Sequence, residues 1–153
     1  MGPIGVISDT HGLLRPQAVE ALRGSVLIIH AGDVGRPEIL DELRRIAPVV
    51  AVRGNVDRDA WAGRLPQSKI VEHDGVRLYV LHILEDLDLD PPTAGFHAVI
   101  TGHTHLPKME TKDGVLYFNP GSAGPRRFDH PVSLGRLSIE YGKLRGEIIT
   151  LTV

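Results

Sequence analysis

Two short motifs in this sequence pair side chains that can bind metal ions. Asp9 and His11 are separated by one residue, and so are His103 and His105. In extended backbone, side chains two positions apart point to the same face, so each pair can contact one ion or two close ions. Because both motifs come after short apolar runs, the pattern predicts ligands at the ends of two strands.

Three further polar residues also follow apolar runs, namely Asp33, Asn55 and His82. Aspartate, asparagine and histidine offer oxygen and nitrogen ligands, which suit Mn, Fe, Zn, Ni or Mg without choosing among them. The seven candidates exceed the needs of one tetrahedral zinc ion, but they fit two ions that share a carboxylate. We expect Asp33, which is alone on the central strand, to be the shared ligand.

The composition of the chain excludes several classes of protein. Its 153 residues include no cysteine, which rules out disulfides, thiolate metal sites and cysteine nucleophiles. A net charge of -2 argues against binding to nucleic acid or anionic membrane through bulk positive charge. With no long apolar run and no basic leader, we expect a cytoplasmic protein with one domain over residues 1–153, no stable nucleic-acid complex and no membrane contact.

Hydrophobic periodicity indicates mixed α/β structure. Strands and helices alternate in the first third, which implies parallel strands joined by helical crossovers. Later turn signals indicate three antiparallel hairpins and one further buried strand. The predicted strands are 4–8, 26–30, 49–52, 69–72, 76–81, 98–101, 109–112, 115–118, 134–140 and 144–153, and the predicted helices are 16–23 and 37–47.

The candidate ligands all follow the carboxyl ends of predicted strands. In open α/β sheets these ends meet at one edge, where binding sites form. Residues that lie far apart in the sequence are therefore expected to converge on one site.

The order of these motifs resembles that of the calcineurin-like metallophosphoesterase superfamily. The motifs that carry the resemblance extend over nearly the whole chain: Asp9-X-His11, Gly32-Asp33, Gly54-Asn55, His82, Gly102-His103-Thr104-His105 and Asn119-Pro120-Gly121-Ser122. Within the superfamily, the chain is similar to the small prokaryotic YfcE-type phosphodiesterases. The resemblance implies a two-sheet β-sandwich flanked by helices, in an αββα arrangement, with two metal ions at the sheet edge.

The resemblance also implies roles for the candidate residues. It implies that a metal-bound hydroxide attacks the phosphorus of a small or nucleotide-like phosphate ester. We expect manganese, with Ni, Zn, Fe and Mg as alternatives. The resemblance implies that the first metal is bound by Asp9, His11 and His105, and the second by Asn55, His82 and His103. It implies that Asp33 bridges the two metals. The expected catalytic residues are Asp33, Asn55 and His103.

Two positions depart from the superfamily pattern. Many of its phosphatases have histidine where this chain has Val56, and valine cannot protonate a leaving group. We therefore expect diesters, or esters with acidic leaving groups, rather than general alkyl monoesters. Ile83 stands where glycine is usual, and its β-branched side chain is expected to crowd the second metal position.

Other polar residues have a structural alternative to a functional role. Guanidinium groups bind phosphate through paired N–H donors, so we predict that Arg53 and Arg126 contact substrate together with Asn55. We expect His30, on a buried strand, to be a hydrogen-bonded structural residue. Asp57 is expected to cap the short helix that follows it.

A second function class fits the same fold. The retromer subunit that shares it resembles these enzymes but serves as an interaction module, so a protein-interaction scaffold with little or no catalysis is the main alternative. Loss of metal ligands would favour the scaffold, and none of the seven is missing here. Apolar edge strands could pair two copies of the chain, which leaves a homo-oligomer open.

Overall fold

The protein, described over residues 2–153 by a computed structural model, contains two five-stranded sheets. The strands are β1 (Ile4–Ile7), β2 (Leu27–His30), β3 (Val49–Ala51), β4 (Ser68–His73), β5 (Val76–Leu81), β6 (Ala98–Ile100), β7 (Lys108–Lys112), β8 (Val115–Asn119), β9 (Ser133–Glu140) and β10 (Lys143–Thr150). The α-helices are α1 (Pro16–Leu22), α2 (Pro37–Arg44) and α3 (Pro91–Ala94), and 3-10 helices span Ala60–Arg64 and Leu84–Asp86. Within residues 2–153, no helix has the length and apolar character needed to cross a membrane.

The first sheet has the strand order β10-β9-β1-β2-β3. Its strands β1, β2 and β3 are parallel, as predicted, and α1 and α2 form the two crossovers between them. Each crossover helix begins with a proline, whose missing N–H costs little in the first helical turn. Helix α2 ends at Arg44 rather than at residue 47, and Pro48 disfavours helical backbone at the residue before it.

The second sheet has the order β4-β5-β6-β8-β7, with β5, β6 and β8 parallel. The three predicted hairpins are confirmed, since β4 pairs with β5, β7 with β8 and β9 with β10 in antiparallel register. Each hairpin is closed by two residues with positive φ, as type I′ turns require. The turns are Asp74-Gly75, Asp113-Gly114 and Tyr141-Gly142.

The main hydrophobic core lies between the two sheets. Val6 and Ile29 of the first sheet belong to the same buried cluster as Leu78, Ile100 and Phe118 of the second. A second core joins the opposite face of the first sheet to α1 and α2. The predicted two-sheet sandwich with flanking helices is therefore confirmed, and its two longer helices cover one side.

The parallel strands of both sheets bring the loops with the candidate ligands together. The N–H of Asp9, after β1, donates to the carbonyl of Gly32, after β2, at 3.0 Å. In the second sheet, the N–H of Gly102, after β6, donates to the carbonyl of His82, after β5, also at 3.0 Å. The site is thus built on the carboxyl ends of strands, as the sequence predicted.

Candidate metal centre

The backbone at the candidate site is unusual. Non-glycine residues rarely have positive φ, because the side chain then crowds the backbone, and such residues cluster at functional sites. Several candidate ligands have this conformation, so the loops aim their side chains in directions that an ordinary strand or helix would not. These residues are Asp9 (φ 56°), His11 (46°), Asp33 (56°), His103 (74°) and His105 (63°).

The first group of ligand atoms belongs to Asp9, His11 and His105, and these atoms lie within 4.8 Å of one another. Oδ2 of the buried Asp9 accepts hydrogen bonds from Ser8 Oγ at 2.8 Å and from the N–H of His103 at 3.0 Å. The other oxygen, Oδ1, lies 3.4 Å from His105 Nε2 and 3.8 Å from His11 Nε2. Oδ2 therefore connects the loop after β1 to the loop after β6, and Oδ1 faces the two histidines.

The second group consists of Asp33, His82 and His103, again within 4.8 Å. Asp33 Oδ1 accepts the N–H of Val56 at 3.0 Å, while Oδ2 lies 3.1 Å from His82 Nε2 and 3.5 Å from His11 Nε2. Asp33 thus stands between the two groups. As in Asp9, one oxygen of Asp33 accepts a backbone N–H, and the other faces histidine side chains.

His82 is oriented by the strand beside it. Its Nδ1 lies 2.7 Å from the carbonyl oxygen of Ala31, which can only accept a hydrogen bond, so Nδ1 carries a proton. That arrangement directs Nε2 toward Asp33 and Asp9, at 3.1 and 3.8 Å. A histidine held by a backbone carbonyl on one nitrogen is the usual arrangement for a metal ligand.

Asn55, the exposed candidate, joins the second group through His103. Its Oδ1 lies 3.1 Å from His103 Nδ1. The structure therefore brings all the predicted metal-ligating residues to one site, including Asn55.

Three groups of the site, Asp33, His82 and His105, have pKa values that differ from their ordinary ones. Burial alone would raise the pKa of Asp33, yet the neighbouring His82 imidazole and the hydrogen bond from the Val56 N–H bring this pKa below its ordinary value. Burial alone would lower the pKa of His82, but Asp33 and Asp9 together raise it. For His105 burial prevails and lowers the pKa, with the charge of Arg127 acting in the same direction. The two carboxylates therefore make this pocket favourable for positive charge.

Several buried polar atoms of the site have no hydrogen-bond partner among the described residues. Buried nitrogen and oxygen atoms without partners are costly, and a divalent cation would satisfy them. The donors are oxygen and nitrogen atoms, which suits the ions predicted from the sequence. The unpartnered atoms of the site are Asp9 Oδ1, His11 Nε2, His82 Nε2 and His105 Nδ1.

Two glycines allow the loops to approach this closely. A Cβ atom at Gly102 would lie 2.8 Å from Asp9 Oδ2 and would also collide with Ser8 Oγ. A Cβ atom at Gly54 would collide with the backbone and the carboxylate of Asp33. Glycine at both positions is therefore a steric requirement of the site.

A cavity of about 320 Å³ opens beside the second group. Asn55 and His82 form part of its wall, and Arg53, Tyr79 and Ile83 line it as well. Ile83 thus borders the cavity, with an extended backbone (φ −111°, ψ 118°), and its crowding of the second metal position stays a prediction. Of the two arginines predicted to contact substrate, Arg53 lines the cavity, while Arg126 is exposed and is not part of its wall.

His30 has the structural role that the sequence indicated. Its Nδ1 accepts the N–H of Gly32 at 3.1 Å, so Nε2 carries the proton and donates to Thr10 Oγ1 at 3.0 Å. The Thr10 hydroxyl in turn donates to the carbonyl of Val34 at 2.8 Å. Burial lowers the pKa of His30 to about 4, so this residue is neutral near pH 7.

The prediction that Asp57 caps the following helix is wrong. The residue at the N-cap of the 3-10 helix Ala60–Arg64 is Asp59, and its side chain makes no capping hydrogen bond. Asp57 is buried instead, and its carboxylate accepts backbone N–H groups from Val34, Gly35 and Gly54. Two of these donors lie more than twenty residues away in sequence, at separations of 22 and 23, so no local pattern could reveal them.

Asn119 and Ser122 form hydrogen bonds with the loops that carry the candidate ligands. Asn119 Nδ2 donates to the carbonyl of Gly102 at 2.9 Å and to Thr104 Oγ1 at 3.2 Å, which fixes the loop that carries His103. Ser122 Oγ donates to the backbone carbonyl of Asp9 at 3.1 Å. These two residues hold the ligand loops.

Comparisons with known proteins agree with this geometry. Residues 3–142 match the calcineurin-like phosphoesterase superfamily domain. The chain is 38% identical over 161 residues to a probable metallophosphoesterase of Methanothermobacter thermautotrophicus, covering 95% of this chain and 91% of that protein. It is 30% identical over 155 residues to phosphodiesterase YfcE of Escherichia coli, covering 85% of this chain and 84% of that protein. The solved structure of an archaeal phosphodiesterase aligns with a TM-score of 0.80 and 25% identity, over 96% of this chain and 99% of that one.

These matches confirm the resemblance that was based on the motifs. They extend along most of the chain and agree with the two-sheet fold. They favour a catalytic protein over a scaffold, because the curated relatives are named as phosphoesterases. The chain therefore belongs to the calcineurin-like phosphoesterase superfamily, as a hydrolase that acts on phosphoric esters.

Proposed function

We propose that this protein is a metal-dependent phosphodiesterase that hydrolyses small or nucleotide-like phosphate diesters at a di-metal centre. The observation that carries this proposal is the set of buried, unpartnered atoms Asp9 Oδ1, His11 Nε2 and His82 Nε2, in which both nitrogens lie 3.8 Å from that oxygen at the sheet edge. Such a set is expensive to bury unless cations satisfy it.

The proposed ligands follow from the two groups of atoms. Two divalent ions bound there would withdraw charge from the phosphoryl oxygens and make water a better nucleophile. Manganese is the ion we propose first, with Zn, Ni, Fe and Mg as alternatives. The proposed ligands are Asp9, His11 and His105 for one ion, Asn55, His82 and His103 for the other, and Asp33 for both.

The protein's own side chains would hold the substrate at this edge. His103 is half-buried and Asn55 is exposed, so both can contact a phosphoryl group that approaches from solvent. The Arg53 guanidinium lines the adjoining cavity and can donate two N–H groups to phosphate oxygens. Arg126, on an exposed loop, is proposed as a weaker contact.

The preference for diesters rests on the residue beside Asn55. Val56 is 47% exposed at this position and has no proton to give to a leaving group. Asp86 and Asp88 also line the cavity, and both are exposed to solvent rather than buried beside the candidate ligands. We therefore expect substrates whose leaving group departs without a strong acid, with one ester group in the cavity of about 320 Å³.

The proposal can be tested by hydrolysis of bis(p-nitrophenyl) phosphate and p-nitrophenyl phosphate. Metal-stripped protein would be supplied in turn with Mn, Ni, Zn, Fe or Mg, and compared with Asp33→Ala and Asp74→Ala. Asp74 is a matched control because it also has positive φ, 49° against 56° for Asp33, but lies in a hairpin turn.

We expect metal-dependent turnover with kcat/KM at least about 10-fold higher for the diester, and a loss of about 1000-fold in Asp33→Ala only. Protein that is folded but inactive with every metal would contradict the proposal. A preference for the monoester would contradict its diester part alone.

A further inference from the structure

The carboxylate of Asp57 is fully used inside the protein. The residue is 4% exposed. Its Oδ2 accepts the N–H of Val34 at 3.1 Å and that of Gly54 at 2.9 Å, and its Oδ1 accepts the N–H of Gly35 at 3.0 Å. A carboxylate suits three N–H donors because both of its oxygens only accept, whereas an amide has one accepting oxygen and an NH2 group that would face a donor.

The donors belong to two loops that carry candidate ligands. Val34 and Gly35 directly follow Asp33, after β2, and Gly54 directly precedes Asn55, after β3. The same two loops are joined a second time, because the N–H of Val56 donates to Asp33 Oδ1 at 3.0 Å. The Asp57 carboxylate thus joins the loop that carries Asp33 to the loop that carries Asn55.

The locked loop also reaches the first group of ligands. The N–H of His11 donates to the carbonyl of Asp33 at 2.9 Å, and the N–H of Gly12 donates to the carbonyl of Val34 at 2.8 Å. The segment after β1 is therefore hydrogen-bonded to the segment after β2, which Asp57 also contacts. A shift of the loop after β2 would move His11 as well as Asp33.

We propose that Asp57 is a positioning residue of the metal centre, whose carboxylate locks the loops after β2 and β3 so that Asp33 and Asn55 reach the ions together. This inference rests on the proposed function. It differs from a general contribution to stability, because it requires that loss of the carboxylate weakens metal binding in protein that remains folded. Groups that orient ligands in this way typically change metal affinity by about 10- to 100-fold.

The test compares Asp57→Asn with Asp59→Asn. Asp59 is an exposed aspartate two positions away whose side chain makes no capping hydrogen bond, so it controls for the loss of charge near the site. Mn²⁺ would be titrated by calorimetry into the metal-free full chain, and amide hydrogen exchange would be measured in the same samples without metal. The melting temperature shows that each variant is folded.

We expect Mn²⁺ affinity about 10- to 100-fold lower in Asp57→Asn, with faster exchange at the amides of Val34, Gly35 and Gly54. Asp59→Asn should match the wild type in both measurements. A folded Asp57→Asn variant with wild-type Mn²⁺ affinity would overturn the inference, even if its melting temperature is lower. Wild-type protein that binds no divalent ion would instead overturn the proposed function.

A second variant covers the case in which Asp57→Asn fails to fold. Asp57→Glu keeps both carboxylate oxygens but moves them by one methylene group. We expect it to fold and to bind Mn²⁺ at least about 5-fold more weakly than the wild type, since the two loops are displaced. Unchanged affinity in this variant would overturn the inference.

Discussion

The hairpin turns and the metal-site loops both contain non-glycine residues with positive φ, but for different reasons. In the turns, Asp74, Asp113 and Tyr141 are exposed, and each is followed by a glycine that also has positive φ. There the conformation reverses the chain, and the residue lies on the surface. At the site, the buried Asp9 and Asp33 have the same conformation, and their side chains are surrounded.

The difference shows what the strained backbone does in each region. Positive φ costs a non-glycine residue about 1–3 kcal/mol, somewhat less for aspartate. In a hairpin, the turn geometry itself requires this conformation. At the site, the same conformation brings carboxylate and imidazole atoms within 4.8 Å of one another. In the turns, the left-handed backbone conformation thus reverses the chain. At the site, the same conformation orients the side chains toward one another.

The largest expected effect comes from two aspartates with nearly equal backbone angles. Asp9 has φ 56° and Asp113 has φ 53°. Asp9→Asn should lower kcat/KM for bis(p-nitrophenyl) phosphate by about 1000-fold, equal to about 4 kcal/mol, because one charged ligand is lost. Asp113→Asn should leave it unchanged. Both values are measured by steady-state kinetics with saturating Mn²⁺. An equal loss of kcat/KM in the two variants would contradict the different roles of the site and the turns.

The next effect concerns the pH dependence of stability that the buried His30 confers beside the site. Burial lowers the pKa of His30 to about 4 from its ordinary 6.5, so between these values the unfolded chain binds a proton that the folded chain does not. The free energy of unfolding should therefore fall by about 3 kcal/mol as pH drops from 6.5 to 4, with this contribution fully present above pH 6.5.

His30→Gln isolates this contribution, because glutamine does not titrate. Urea unfolding of both proteins at several pH values should give a smaller slope for His30→Gln between pH 4 and 6.5. Parallel curves for the wild type and the variant would show that His30 is not held in its neutral form.

The smallest effect is a gain in stability. In metal-free protein, His103→Gly should raise the free energy of unfolding by about 0.5–1 kcal/mol, since φ 74° is unfavourable for histidine and easy for glycine. Asp113→Gly should change it by less than about 0.5 kcal/mol, because aspartate tolerates the left-handed region of a turn. Denaturant titration with a chelator present measures both. A destabilised His103→Gly would mean that side-chain contacts outweigh the strain.

Much of the fold was predictable because its signals are local. The turn residues Asp74-Gly75 and Asp113-Gly114 mark two of the hairpins directly. The candidate ligands could be found because each follows an apolar run, and the carboxyl ends of parallel strands meet at one edge. The prediction that the ligands converge did not require knowing how the two sheets pack against each other.

The parts that sequence reasoning missed depend on contacts between distant segments. The sequence neighbours of Asp57 predict a helix cap, while its actual partners Val34 and Gly35 lie 23 and 22 residues away. The positive φ of Asp9 likewise has no local signature, since glycine and not aspartate is the usual residue there. The hydrogen-bond partners of Asp57 and the backbone conformation of Asp9 are therefore visible only in the folded structure.

The most direct test of the central claim is the number of Mn²⁺ ions bound per chain. Equilibrium dialysis of metal-free wild-type protein, with electron paramagnetic resonance of the loaded sample, would count the ions and show whether they are close together. We expect two ions per chain with a magnetically coupled signal, and loss of the coupling in Asp33→Asn. Saturation of folded wild-type protein at one ion or none would contradict it.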